Sequence, residues 1–143
     1  MARLTYDKLK AMYRETNSPH IAHHKRDEEH QLQVACVRWF RTAYPHLSLR
    51  LNAVPNGGRR DAVTGAKLKA EGVLAGVADL ELHIPNATHH GLFIEMKTPK
   101  GRLSEAQCRW RDAVTERGEY QYTVCRSLDE FRKTVQDYIS KGY

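Results

Sequence analysis

The sequence predicts one α/β domain in which helices pack on a central mixed β-sheet. Two observations lead to this prediction. The chain has 143 residues, which is enough to enclose one hydrophobic core but too few for two domains. Stretches with the apolar spacing of amphipathic helices also alternate with shorter stretches in which apolar and polar residues alternate, in the order α-β-α-β-β-α-β-α.

The first half of the chain predicts two helices on either side of a strand. In the first long helix, apolar residues recur at three- and four-residue steps, and Pro45 ends it. The next segment alternates like a strand and stops at a Pro-Asn-Gly-Gly turn. Asp61 is a candidate N-cap for the following helix, and Gly72 ends it. The predicted bounds are a short helix around Leu4–Arg14, a polar loop with Pro19, a helix over Asp27–Ala43, a strand over Ser48–Val54 and a helix over Asp61–Glu71.

The second half predicts a hairpin followed by a helix, a strand and a last helix. Apolar and polar residues alternate on both sides of a turn at Pro85–His90, which indicates two antiparallel strands. Ser104-x-x-Gln107 and Ser127-x-x-Glu130 are capping boxes that begin the two helices after the hairpin. The predicted bounds are strands over Asp79–Ile84 and Leu92–Lys97, a helix over Ser104–Gly118, a strand over Tyr120–Arg126 and a helix over Ser127–Ser140.

Composition and charge exclude several classes of protein. Hydrophobic residues make up 41% of the chain and charged residues 28%, which is typical of a globular domain rather than a disordered chain. No apolar run is long enough to span a bilayer and no signal-peptide pattern begins the chain, so we expect a soluble, cytoplasmic protein. The three cysteines lack metal-ligand spacing and are expected to be buried thiols. A net charge of +6 favours a polyanionic partner such as nucleic acid.

The predicted hairpin brings acidic and basic side chains to one face of the sheet. Glu95 and Lys97 are two residues apart on one strand and therefore point the same way. With the turn centred near Ala87, Asp79 lies opposite Glu95 at a separation of roughly 5 Å. Two carboxylates this close repel each other unless a cation lies between them, and Mg²⁺ or Mn²⁺ suits such oxygen ligands. Lys97 would then orient an attacking water or stabilise negative charge on a phosphate.

A solvated sheet face with cross-strand charge pairing is the ordinary alternative, because an Asp…Glu-x-Lys pattern is short. Two features of the surroundings favour a metal site instead. The segment Gly72–Val77 carries glycines that permit close backbone contact just before Asp79. The basic loop Thr98–Arg102 follows Lys97 directly.

Two further side chains are candidates for the same site. Glu29 lies at the edge of the apolar stripe of its helix and points partly inward, but it also follows a charged run that is typical of a surface. Gln107 is explained by its capping box alone, and in the functional interpretation its amide reaches the phosphate or the metal. The histidines lack zinc-ligand spacing. Five of the eight are expected to lie in the N-terminal loop and the hairpin turn, namely His20, His23, His24, His89 and His90.

Around these residues, five stretches of the chain form a longer ordered pattern. They are Glu29–Gln33, Val54–Gly58, Lys69–Leu80, Gly91–Lys97 and Gly101–Gln107. In these stretches the chain resembles the virus-type replication-repair nuclease (VRR-NUC) family of the PD-(D/E)XK nuclease superfamily. The segment through Tyr138 fits the closing strand and helix of that family. Ala78 is a departure, because relatives often have proline just before the aspartate.

The resemblance implies a restriction-endonuclease-like nuclease domain over residues 25–143, preceded by an N-terminal extension over residues 1–24. The implied metal ligands for Mg²⁺ or Mn²⁺ are Asp79, Glu95, Glu29 and the backbone carbonyl of Met96. The implied catalytic residues are Asp79, Glu95, Lys97, Gln107 and Glu29. The register of the first-helix acid stays open, because Glu28 is adjacent to Glu29. The positive charge around these positions predicts DNA contacts by Arg59, Arg60, Lys69, Lys100 and Arg102.

The family also implies a DNA endonuclease that hydrolyses phosphodiester bonds, with a particular substrate and oligomeric state. Stand-alone members of this size are similar to the Holliday-junction resolvases of phages and bacteria, which cut branched DNA as homodimers. We expect a homodimer, because two symmetric sites fit two strands of a symmetric junction. The alternatives are a nicking or flap-type nuclease with the same site, and a DNA-binding module that kept the fold without catalysis. The presence of Asp79, Glu95 and Lys97 argues against the non-catalytic module.

Overall fold

The computed structural model describes residues 19–55 and 61–142. The helices and strands follow one another in the predicted order, and a 3₁₀ helix over Pro45–Arg50 precedes the first strand. The elements are α1 (Pro19–Ala43), β1 (Leu51–Ala53), α2 (Ala62–Ala70), β2 (Leu80–Leu82), β3 (Gly91–Met96), α3 (Glu105–Thr115), β4 (Tyr120–Cys125) and α4 (Leu128–Ser140). The predicted helix around Leu4–Arg14 lies outside the described residues.

The four strands form one mixed sheet in the order β1-β2-β3-β4. The pairs β1–β2 and β2–β3 are antiparallel, whereas β4 runs parallel to β3 after the crossover through α3. The register pairs Leu80 with Ile94, and one step beyond this pair it places Asp79 opposite Glu95. The structure therefore confirms the antiparallel hairpin and its predicted centre near Ala87.

One face of the sheet and the helices α1 and α4 form the hydrophobic core. Leu92, Ile94 and Met96 alternate along β3, so all three point to this face. The helix α4 presents the apolar stripe that was predicted from its sequence. The buried residues of the core are Cys36, Phe40, Leu51, Leu80, Leu82, Leu92, Ile94, Met96, Cys125, Phe131, Val135 and Tyr138.

The opposite face of the sheet packs against α3. Phe93 points to this face, and its ring lies edge-on to Trp110 of α3 with centroids 4.8 Å apart. Trp110 also lies against Tyr122 of β4, with centroids 6.3 Å apart. Glu95 and Lys97 continue the alternation of Phe93 and therefore belong to the α3 side of the sheet.

Two predictions about the first third of the chain are wrong. The predicted strand over Ser48–Val54 is a 3₁₀ helix over Pro45–Arg50 followed by a strand that begins only at Leu51. Proline favours the first turn of a helix, and Leu49 is 96% exposed, so the alternation does not mark a buried face. The predicted loop at Pro19 is part of α1, because the residues from Pro19 to Ala43 form one helix.

The longer α1 changes the setting of three histidines. His20, His23 and His24 lie in the helix, so the prediction that they are loop residues is wrong. His89 and His90 lie in the connection between β2 and β3, as predicted. Because α1 continues across residue 24, the predicted boundary of the N-terminal extension falls inside a helix.

The helix starts follow the predicted capping with one difference. Asp61 caps α2, and Ser104 begins α3 with a reciprocal capping box. The Ser127 hydroxyl accepts from the Glu130 N–H at 3.1 Å, which caps α4. The Glu130 carboxylate, however, accepts from the Arg126 N–H at 2.6 Å instead of closing the box on Ser127.

The cysteines are free thiols. Cys36 and Cys125 are buried, as predicted, whereas Cys108 is half-buried. Burial raises the pKa of both buried thiols, which keeps them neutral. Across residues 19–55 and 61–142, no helix is long and apolar enough to cross a membrane.

Candidate active site

The pairing of β2 with β3 brings three predicted site residues together. Glu95 is 1% exposed and Lys97 is 9% exposed, so both charged side chains are taken out of water. The Lys97 Nζ lies 3.1 Å from Glu95 Oε1. The register places Asp79 opposite Glu95, and the charge of Asp79 is one of the causes that raise the pKa of Glu95. The hairpin therefore brings the three side chains to one place on the sheet, as predicted.

Backbone hydrogen bonds to both neighbouring strands hold Asp79 in place. Its Oδ2 accepts from the Met96 N–H at 2.8 Å, and its backbone carbonyl accepts from the Val54 N–H at 2.9 Å. A side chain held in this way keeps its orientation before any ligand arrives. The sheet therefore preorganises Asp79 beside Glu95.

Gly76 allows the segment before Asp79 to lie directly on the start of α3. Its φ of +88° belongs to the left-handed region that favours glycine. A Cβ atom at this position would lie 2.4 Å from the carbonyl carbon and oxygen of Ala106. This contact fixes α3, and with it Gln107, relative to Asp79. It agrees with the close backbone approach predicted for Gly72–Val77.

The side chain of Gln107 caps α3 and also reaches the acid pair. Its Oε1 accepts from the Ser104 N–H at 2.8 Å, which completes the capping box. Its Nε2 donates to Glu95 Oε1 at 2.6 Å. Because the capping box uses the amide oxygen, the amide nitrogen is the group that points at Glu95. The capping interpretation is confirmed, whereas contact of the amide with a phosphate or a metal stays a prediction.

The two carboxylate oxygens of Glu95 have opposite surroundings. Oε1 accepts from Gln107 and forms the ion pair with Lys97. Oε2 is buried and receives no hydrogen bond from any described residue. A buried polar group left unpaired costs on the order of 1–3 kcal/mol. A ligand or an ordered water is therefore expected at this oxygen.

The acid pair resists full ionisation. Burial, followed by the charge of Asp79, raises the pKa of Glu95 to about 7, although the charge of Lys97 opposes the shift. Burial also raises the pKa of Asp79, against the hydrogen bond from the Met96 N–H and the charge of Lys97. Near neutral pH the pair therefore tends to hold a proton. A divalent cation between them would replace that proton and allow both groups to ionise.

The donor set fits a hard divalent cation. Two carboxyl groups on opposed positions of the hairpin, one with a buried oxygen that no described residue contacts, offer the oxygen ligands that Mg²⁺ and Mn²⁺ take. Within the described part of the chain, no group of three or more His, Cys, Asp or Glu side chains is arranged to hold a metal. Magnesium often uses only one or two carboxylates and takes its other ligands from water or substrate. The predicted ligation by the Met96 carbonyl stays a prediction.

Glu29, the predicted first-helix acid, lies on α1. It is half-buried, whereas its neighbour Glu28 is exposed. The charge of Glu29 is the last of the causes that raise the pKa of Glu95. These observations favour Glu29 over Glu28 as the acid that faces the site, and its role as a metal ligand stays a prediction.

Tyr122 is a neighbour of the site that the sequence analysis missed. It lies on β4 in register with Phe93 of β3. Its hydroxyl is buried and has no hydrogen-bond partner among the described residues. Burial raises the pKa of this hydroxyl, and the charges of Glu95 and Asp79 raise it further. The only sequence signal for Tyr122 is the alternation within β4, which does not show which strand lies beside it.

The predicted DNA-contacting residues are exposed where the structure describes them. Lys100 and Arg102 lie in the loop directly after Lys97, and Lys69 lies on α2. No described contact joins Lys69 to the acid pair. The two others, Arg59 and Arg60, lie outside the described residues.

A family model and a solved structure are similar to this chain. The family model described as the VRR-NUC domain matches residues 27–129, a range that includes every proposed catalytic side chain. A solved structure of a VRR_NUC domain protein is similar to this chain, with 26% sequence identity and a TM-score of 0.68. The similarity covers 80% of this chain and 89% of that chain. The comparison with curated proteins gave no match.

Proposed function

Because this chain belongs to the VRR-NUC domain family and is a nuclease domain, we propose that it is a Mg²⁺- or Mn²⁺-dependent endonuclease. In this proposal it hydrolyses phosphodiester bonds in branched DNA and acts as a homodimer. One observation supports the metal site most directly. The buried Oε2 of Glu95 has no hydrogen-bond partner among the described residues, and Asp79 lies opposite Glu95 in the hairpin.

Asp79 and Glu95 are the residues that would hold the cation. The bound cation supplies positive charge that polarises a phosphoryl oxygen and promotes attack by water. Gln107 and Lys97 both engage Glu95 Oε1, so the carboxylate cannot rotate freely and Oε2 stays available. The Met96 N–H restrains Asp79 in the same way. The chain therefore holds both carboxylates in fixed orientations.

Lys97 is the residue placed to act on the phosphate. Its ammonium is almost fully buried beside Glu95, where the low dielectric strengthens its interaction with any negative charge. A positive charge held in place can stabilise the negative charge that develops on a phosphate under attack, or orient the attacking water. This role needs the ammonium at one fixed position, which the ion pair with Glu95 provides.

The charge of the chain supports DNA as the substrate. The net charge is +6, and the exposed cations Lys100 and Arg102 follow Lys97 directly along the chain. Cations that neutralise phosphates release counterions from DNA and supply much of the affinity. The preference for branched DNA and the homodimer rest on the family resemblance and on symmetry, since two equivalent sites can cut two matching strands of a junction.

A cleavage assay on labelled four-way junctions, 5′ flaps and linear duplexes tests this proposal. We expect paired nicks in the junction with Mg²⁺ or Mn²⁺ and no cleavage with a chelator. Asp79→Asn should abolish cleavage, because it removes one of the two negative charges that hold the cation. Glu81→Gln is the matched control, because Glu81 is an acid two residues after Asp79 whose carboxylate contacts His83 at 3.2 Å.

Two outcomes would contradict different parts of the proposal. Full activity of the wild-type protein in chelator would contradict the metal site. A monomer that prefers flaps and still requires the metal would contradict only the junction and the homodimer. Light scattering on the same samples gives the oligomeric state.

A further inference from the structure

Arg126 lies beside the loop that leaves the active site. The parallel register pairs Met96 with Cys125, and the Lys97 N–H donates to the Cys125 carbonyl at 3.1 Å. Parallel strands end at the same edge of a sheet, so the residues that follow them are neighbours. Arg126, which follows β4, is therefore adjacent to Lys97, which follows β3.

The loop Thr98–Gly101 is a tight turn whose carbonyl groups converge on Arg126. The Gly101 N–H donates to the Thr98 carbonyl at 3.0 Å, with Pro99 at the position where its fixed φ suits a β-turn. The Arg126 Nη1 donates to the Thr98 carbonyl at 2.8 Å and to the Gly101 carbonyl at 2.6 Å. A weaker contact of 3.4 Å joins the same nitrogen to the Pro99 carbonyl. The guanidinium thus ties the turn to the end of β4.

The contacts of Arg126 leave the positive charge of its side chain unpaired by any carboxylate that the structure describes. The carbonyl groups that it contacts are neutral, and the carboxylate of Glu130 accepts from the Arg126 backbone N–H rather than from its side chain. Thr98 is buried, whereas Lys100 and Arg102 of the same loop are exposed. The turn is therefore held by its backbone while its charged side chains face solvent.

We propose that Arg126 is a positioning residue that holds this loop in the shape that presents Lys100 and Arg102 to the phosphates of DNA. The inference rests on the proposed function, because it assigns the loop to DNA contact. Arginine suits the role because its rigid, planar guanidinium holds Nη1 at a fixed position where its two N–H groups reach the Thr98 and Gly101 carbonyls together. Lysine offers a single flexible ammonium and leaves the turn less restrained.

A charge-preserving substitution separates positioning from direct contact with DNA. Arg126→Lys keeps the positive charge, so a mere phosphate contact would survive it. If Arg126 acts by positioning, Arg126→Lys weakens DNA binding about tenfold. It also lowers the slope of log affinity against log salt by about two units, because two phosphate contacts are lost. Arg117→Lys, at an exposed site just after α3, is the matched control and should leave affinity and slope unchanged.

A double-mutant cycle connects Arg126 to the two loop cations. Lys100→Ala combined with Arg102→Ala should reproduce the loss of affinity and of salt slope seen for Arg126→Lys. Adding Arg126→Lys to that double variant should not lower the DNA affinity further. Arg126 acts by positioning Lys100 and Arg102, and both side chains are already removed. Additive losses would show that Arg126 itself contacts the DNA and would overturn the inference.

Limited trypsin digestion gives a readout that involves no DNA. The restrained turn protects the bond after Lys100, and Arg126→Lys should speed cleavage there several-fold relative to cleavage after Arg117. An unchanged melting temperature shows that the effect is local.

The outcomes distinguish this inference from the proposed function. Normal DNA binding in Arg126→Lys overturns the inference, whether or not digestion of the loop is faster, and leaves the nuclease proposal standing. A wild-type protein that binds no DNA overturns the proposed function, and the assignment of the loop with it. Loss of affinity with loss of slope and faster digestion supports both.

Discussion

The amide of Gln107 donates to Glu95 Oε1 at 2.6 Å while its carbonyl oxygen caps α3 through the Ser104 N–H. One side chain thus joins the start of a helix to the most buried acid of the site. The same end of α3 lies against Gly76, which precedes Asp79 in the chain. The helix and the acid pair therefore hold each other in position.

Removal of the Gln107 side chain should reduce both activity and stability. Gln107→Ala deletes the donor to Glu95 and half of the capping box, so we expect cleavage to fall about 100-fold, as for other lost donors in active sites. Ser104→Ala removes the cap but keeps the donor. It should cost about 1 kcal/mol of unfolding free energy and leave cleavage near normal. Equal losses of activity in the two variants, measured in single-turnover assays with parallel thermal melts, would contradict a specific role for the amide.

The Lys97 ammonium is expected to act in cleavage rather than in DNA binding. Lys97→Met keeps most of the side-chain volume and removes the charge, so cleavage should fall at least about 100-fold while DNA affinity changes little. Because the charge of Lys97 lowers the pKa of Glu95, metal binding by this variant should require a higher pH. Rates and metal affinities measured across pH check both expectations. Wild-type cleavage by Lys97→Met would exclude the catalytic role.

The metal-free protein should lose stability as pH rises towards neutrality. The pKa of Glu95 is about 7 in the fold against an ordinary value of 4.5, so between these values the folded state keeps a proton that the unfolded state has lost. Glu95 therefore stabilises the fold below about pH 4.5, and this contribution is lost as pH rises to about 7. The raised pKa of Asp79 acts in the same direction.

Thermal melts in chelator across this pH range measure the effect. The melting temperature should depend less on pH in Glu95→Gln, which has no proton to lose. Added Mn²⁺ should restore stability above pH 7, because a bound cation favours the ionised pair. Identical pH profiles for wild type and Glu95→Gln would show that Glu95 does not titrate as described.

Gly76 should tolerate no side chain. Gly76→Ala places a Cβ 2.4 Å from the Ala106 backbone at a φ of +88°, and we expect a loss of about 1–3 kcal/mol of unfolding free energy together with reduced cleavage. Gly65→Ala is the matched control, since nothing lies within 4 Å of its added Cβ and α2 continues through it. That control should be neutral or slightly stabilising. Equal melting temperatures for the two variants would contradict the close contact.

Much of the site could be predicted from the sequence because its geometry is local. A period of two along a strand places Glu95 and Lys97 on one face, and an antiparallel hairpin centred near Ala87 places Asp79 opposite Glu95. The same period of two around Leu49 led to a wrong strand prediction. These residues form a 3₁₀ helix that begins at Pro45 and leaves Leu49 in solvent.

The residues that the sequence analysis missed depend on contacts distant in sequence. Tyr122 lies on β4 and Arg126 follows it. The strand β4 pairs with β3, but the chain reaches it only after the crossover through α3. The register of a parallel pair is set by how the crossover packs, so no short motif shows which β3 residues they adjoin. Gln107 was a candidate from its sequence position. That one side chain both caps α3 and donates to Glu95 became clear only from the position of the start of α3 beside Glu95.

A calorimetric titration of Mn²⁺ into the DNA-free protein at pH 7.5 tests the central claim, that Asp79 and Glu95 form the metal centre of this nuclease domain. We predict that the wild-type protein and Glu81→Gln bind Mn²⁺ with release of protons, because the acid pair must ionise to bind the cation. Glu95→Gln should bind at least about tenfold more weakly, a loss of about 1.4 kcal/mol, because it removes one of the two negative charges that hold the cation. Equal Mn²⁺ affinity in the wild-type protein and Glu95→Gln would contradict the claim.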